Sequence, residues 1–132
     1  MKKTGILHAQ LSRVIASMAH GEMLVIGDAG LPVPPGVETV DLALKEGVPG
    51  FLETLAAVLG ELHVEEAIID TEQEEVSPKM YADFTALWPA EIPLRKVPHA
   101  EFQEIAKNAK ASVRTGEFTA YSNIILTAGV LF

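Results

Sequence analysis

Cysteine is absent from the 132-residue chain. That excludes disulfides, thiolate nucleophiles and cysteine-ligated metals. Basic residues are scarce, ten Lys and Arg against eighteen Asp and Glu, for a net charge of -8. Nucleic acid and anionic membrane both select basic surfaces, so neither is an expected partner. No apolar run is long enough to span a bilayer. The start, "MKKTGILHAQLSR", lacks the apolar core and small-residue cleavage site of a signal peptide. The expectation is a soluble, cytoplasmic protein.

Several motifs are also missing. No GxxxxGK[ST] or GxGxxG cradles a phosphate, and no GxSxG forms a nucleophile elbow. The four histidines are scattered, without HxH or HxxxH spacing, so no metal is expected. His8 and His63 read as surface or helix-face residues.

What is present is apolar: hydrophobic residues make up 48% of the chain. That is enough to fold, and the length suits one domain, 1–132, with a core of its own. There is no repeat, low-complexity tract or linker. Residues 8–19 read as a helix, with Leu11, Val14, Ile15 and Met18 on one face and His20–Gly21 ending it. "MLVIG", Met23 to Gly27, reads as a strand covered on both faces. Further strands are expected at Thr39–Leu44, Val64–Asp70 and "IPLRKVP", with "ASVRTG" and "NIILTAGVLF" closing the chain. Helices are expected at Phe51–Leu62, Pro78–Leu87 and Glu101–Ala109, and "TEQEEVS" as a solvated acidic loop. Alternating strands and helices predict an α/β fold, a three-layer α/β/α sandwich around a largely parallel or mixed sheet. The apolar end "GVLF" suggests subunit packing, although an internal edge strand would also explain it.

In open α/β sheets, ligands gather beyond the carboxyl ends of the strands. Asp28 stands at one such end and Asp70 at another. The loop after Asp28, with prolines at 32, 34 and 35, is stiff and would form a pre-organised wall. His20 either closes a helix against its dipole or acts as a general acid/base near neutral pH. A five-residue strand spans roughly 15 Å, so His20 and Asp28 of one chain meet only if the turn folds back or a second subunit supplies one of them. His99 opens a helix, as a surface residue or as a ligand group. Tyr121, Ser122 and Asn123 offer hydroxyls, an amide and an aromatic face, suited to a neutral polyol such as a sugar, or simply a turn with one packed tyrosine. Arg114 and Glu117 flank them and could simply pair with each other. Together these residues suit proton transfer on a small neutral molecule.

"MAHGEMLVIGDAGLPVPPGV", "DLALKEGVPGF" and "RTGEFTAYSNIILTAGVLF" closely resemble the sugar mutarotase family of D-ribose pyranases and fucose mutarotases. The resemblance runs end to end, is weak across Glu72–Val97, and the "AGLP" after Asp28 points to the ribose branch. It implies an isomerase that interconverts pyranose and furanose forms of D-ribose without any cofactor. It also implies a ring-stacked homo-oligomer, commonly a decamer, with sites near subunit contacts. The family's proton donor falls on His20, and its sugar-binding residues fall on Asp28, His99, Tyr121, Ser122 and Asn123. Ala120 and Ser122 depart from the proline and alanine common in the family. A non-catalytic ribose-binding partner of an uptake system is the alternative.

Overall fold

The computed structural model describes residues 1–132. Its centre is a six-stranded sheet in the order β2-β5-β1-β6-β3-β4. These strands are β1 Met23–Gly27, β2 Glu38–Asp41, β3 Val64–Asp70, β4 Leu94–Val97, β5 Ala111–Arg114 and β6 Ile124–Ala128. β2, β5 and β1 pair in parallel, as do β3 and β4. β6 runs antiparallel between β1 and β3 and joins the two halves. Five carboxyl ends and the amino end of β6 therefore lie along one edge of the sheet. That edge is where side chains beyond the strands can converge.

The central strands bury both faces, and the period of two divides them cleanly. Leu24 and Ile26 of β1, with Ile124 and Leu126 of β6, face the larger core. Val25 and Ile125 face the smaller one. The larger core is covered by α1 Ala9–Ser17, α2 Phe51–Leu59 and α4 Pro78–Leu87. There Phe84 packs between Phe51 and Trp88 at centroid separations of 6.5 and 5.5 Å. The other face is covered by α5 His99–Ala106, through Phe102 and Ala106, and by the proline loop through Leu31 and Val37. This is the three-layer α/β/α arrangement expected, with a mixed sheet.

Several boundaries differ from the sequence reading: β2 ends at Asp41 rather than Leu44, α2 at Leu59 rather than Leu62, and α5 spans His99–Ala106 rather than Glu101–Ala109. α1 begins after His8, whose Nδ1 accepts from the Leu11 N–H as an N-cap, and it ends at Ser17. Gly21 is not its cap: with φ +83° it makes the left-handed turn that delivers the chain into β1. The acidic stretch expected as a solvated loop folds as α3, Thr71–Val76. Glu72 and Glu74 fall in its first turn, where the helix end favours carboxylates, and Gln73 is fully buried. The last strand stops at Ala128, and the tail beyond it carries exposed Leu131 and Phe132. No helix is long and apolar enough to cross a membrane.

Candidate active site

A cleft of about 560 Å³ opens at the carboxyl edge of the sheet. Asp28, at the end of β1, lines it together with His99, Arg114, Glu117, Tyr121 and Asn123. They arrive from four parts of the chain. β1 aims Asp28, β4 hands the chain to α5 at His99, β5 ends at Arg114, and the 115–123 segment leads into β6.

Asp28 is fixed by its own turn. Its Oδ1 accepts from the Gly30 N–H at 3.0 Å, and its backbone N–H donates to Asn123 Oδ1 at 3.0 Å. Burial pushes its carboxyl above the usual aspartate range, opposed by backbone N–H groups of Gly30, Leu31 and Tyr121 and by the nearby His99. The loop wall presses close to the strand. A Cβ on Gly27 would sit 2.6 Å from Leu31 Cδ2 and 3.2 Å from Asn123 Oδ1, so any larger residue there must displace Leu31.

His99 occupies the first position of α5. Its backbone N–H donates to Glu72 Oε2 at 2.8 Å, and its Nδ1 lies 3.1 Å from Asp70 Oδ1. Tyr121 meets the imidazole edge-on, with centroids 5.2 Å apart at 80°. Asp70 is fully buried at the end of β3. Its other oxygen accepts from Asn123 Nδ2 at 2.8 Å. Burial raises the Asp70 carboxyl above its ordinary range, against the lowering effect of the Asn123 and His99 hydrogen bonds.

The 119–123 segment is braced rather than loose. Tyr121 has φ +60°, a left-handed conformation uncommon for a side chain of this size. Gln73 Nε2 donates to the Tyr121 carbonyl at 3.1 Å and Ser77 Oγ to that of Ala120 at 2.7 Å. Ser122 is fully buried and its hydroxyl donates to the Thr119 carbonyl, so its side chain braces the loop instead of facing the cleft. Arg114 and Glu117 do not pair with each other. Arg114 donates to the Ala29 carbonyl and Asp41, whereas Glu117 accepts from the Phe51 and Thr119 N–H groups.

Asp28, His99, Tyr121 and Asn123 are thus brought together in one protomer. His20 is not. It precedes β1, at the opposite edge of the sheet, where its Nε2 lies 2.9 Å from Glu65 Oε2 on the exposed surface. Sequence reasoning left out Glu72, Gln73 and Ser77, which brace the cleft from α3 and its end, and noted Asp70 only as a strand end.

Convergent carboxylate, imidazole, phenol and amide groups, set in a cleft at strand ends, define a small-ligand α/β protein equipped for proton transfer. The chain belongs to the RbsD / FucU transport protein family, whose model matches residues 1–131. It is 51% identical over 132 residues, all of both chains, to a protein of Coprothermobacter proteolyticus named D-ribose pyranase. The solved structure of Bacillus subtilis RbsD complexed with D-ribose superposes with a TM-score of 0.95 at 44% identity, covering 100% of each chain. FucU from Bifidobacterium longum is more distant, with a TM-score of 0.76 and 26% identity over 93% of this chain and 95% of that one.

Proposed function

We propose that this protein is an isomerase with D-ribose pyranase activity, interconverting the six- and five-membered ring forms of D-ribose by acid/base opening and closing. The observation that carries the reading is the full-length similarity to proteins named D-ribose pyranase. The cleft supports it, being lined by groups suited to an uncharged polyol.

Opening the ring needs a base for the anomeric hydroxyl proton and an acid for the ring oxygen. The C1–O bond to the ring then breaks as C1 becomes an aldehyde carbon. Rotation brings a different hydroxyl to C1, and closure runs the proton transfers backwards. General acid/base catalysis contributes roughly 10²–10⁴-fold, appropriate to a reaction already feasible in water. His20 is the proton donor. Asp28 and His99 bind and orient hydroxyls, with Tyr121, Ser122 and Asn123 completing the grip, Ser122 by holding the loop.

His20 lies across the sheet from the cleft of its own chain, so it serves the cleft of a neighbour in a homo-oligomer. The exposed apolar tail at Leu131 and Phe132 supports such packing. The assembly proposed is a decamer, residues 1–132 act as one sugar-pyranase domain, and the location is cytoplasmic.

The test is ribose ring exchange followed by NMR saturation transfer between pyranose and furanose signals. His20→Ala is expected to keep its fold and lose the acceleration. Near-wild-type exchange in that variant would remove His20 from the mechanism. Saturable binding by the wild type with exchange at the free-sugar rate would favour a non-catalytic ribose-binding role instead.

A further inference from the structure

The scheme above gives no part to Asp70, yet a fully buried carboxylate behind the cleft is costly unless its partners are fixed. They are. Asn123 Oδ1 faces the Asp28 backbone N–H, which can only donate. The Asn123 amide is therefore oriented with Nδ2 toward Asp70 Oδ2, making that oxygen an acceptor. Oδ1 of the same carboxylate faces His99 Nδ1. The His99 ring lies between Phe102, stacked on it, and Tyr121, which meets it edge-on, while Glu72 ties down the backbone N–H at the helix start.

We propose that Asp70 is a positioning residue. It accepts the Nδ1 proton of His99 and so leaves an unprotonated Nε2 facing the cleft as the base for a sugar hydroxyl. This rests on the ring-opening reading and deepens it by giving His99 a proton-transfer role. The protons balance. His99 Nε2 takes the anomeric proton as C1=O forms, while protonated His20 gives a proton to the departing ring oxygen. On closure the C4 hydroxyl proton passes to His20 as its oxygen bonds C1, and His99 returns a proton to the carbonyl oxygen. Asp70, at hydrogen-bond distance, stabilises the transient imidazolium.

Asp70→Asn separates this from a merely structural role. Asn123 demands an acceptor, so the new carboxamide turns its oxygen there and its NH₂ toward His99 Nδ1. That forces the ring proton onto Nε2, the wrong nitrogen. In long-range proton–nitrogen spectra of labelled protein, with the signal assigned by His99→Gln, wild-type His99 is expected to carry its proton on Nδ1. Asp70→Asn is expected to move it to Nε2 and lower kcat for ribose exchange about 10- to 100-fold, changing KM less. Wild-type His99 protonated on Nε2 would overturn the proposal even if Asp70→Asn did not fold. So would a variant with the moved proton and an unchanged kcat. A wild type with the Nδ1 proton that leaves ribose exchange at the free-sugar rate would sink the ribose reading while leaving the tautomer assignment standing.

Discussion

Asn123→Ala perturbs the site at its best-defined joint. The side chain is buried, and both ends of its amide are engaged, by the Asp28 N–H at 3.0 Å and by Asp70 Oδ2 at 2.8 Å. Alanine leaves both groups without a protein partner. An orphaned neutral donor costs about 1–3 kcal/mol, with the lower end applying to Asp28 N–H because the cleft admits water. Losing a bond to a charged acceptor costs about 1.5–3 kcal/mol. The sum is about 2.5–4 kcal/mol at neutral pH, a large part of a typical stability of about 5–15 kcal/mol.

The same loss carries a pH signature. The Asp70 carboxyl is already raised by burial, so the folded state holds its proton more tightly than the unfolded state does. Stability from this group is then present at acid pH and declines as pH rises from the ordinary aspartate value of 3.8 through the raised folded value. The Asn123 bond is among the influences that lower it, so Asn123→Ala raises it further and extends the declining window upward. The difference between variant and wild type should therefore grow with pH and then level off. Urea unfolding followed by Trp88 fluorescence, at fixed protomer concentration and several pH values, measures it. A loss below about 1 kcal/mol that is flat with pH, or one that shrinks as pH rises, would refute the assignment of Asp70 as a buried carboxylate held by Asn123.

Gly27→Ala should push the Leu31 wall outward, because its Cβ would stand 2.6 Å from Leu31 Cδ2. A stability loss of about 1–3 kcal/mol and a raised KM for ribose are expected, and a neutral result would show that the wall yields freely. Gln73→Met removes an unpartnered Oε1 but also the Nε2 bond to the Tyr121 carbonyl, so stability should fall by about 1–3 kcal/mol. It should also raise KM by releasing the Tyr121 carbonyl, and an unchanged KM would remove α3 from the positioning of that loop.

The centre of the sheet was legible because β1 and β6 are apolar runs, MLVIG and IILTA. "MLVIG" could be read as a doubly covered strand, and the prolines after Asp28 as a wall, from local chemistry alone. α3 was not legible, since the side chain it buries is Gln73 rather than an aliphatic residue. The partner of Gln73 is the Tyr121 carbonyl, 48 positions away, which no local pattern reveals. Asp70 was visible as a strand end, but its pairing with His99 and Asn123 depends on how β3, β4 and β6 lie side by side. Arg114 and Glu117, neighbours in sequence, diverge because each satisfies a backbone group on another segment. The separation of His20 from Asp28 could be foreseen from the length of one strand, and a second subunit was one of the two ways left to bring them together.

The decisive question is whether the proton donor and the sugar cleft of one working site come from different protomers. Co-expressing His20→Ala with Asp28→Asn, each expected to be inactive alone, tests this directly. In randomly mixed oligomers about a quarter of the clefts would pair an intact Asp28 with an intact neighbouring His20. Ribose ring exchange should then return to about a quarter of the wild-type rate. Mixed oligomers, verified by native mass spectrometry, that remain as inactive as either parent would contradict it.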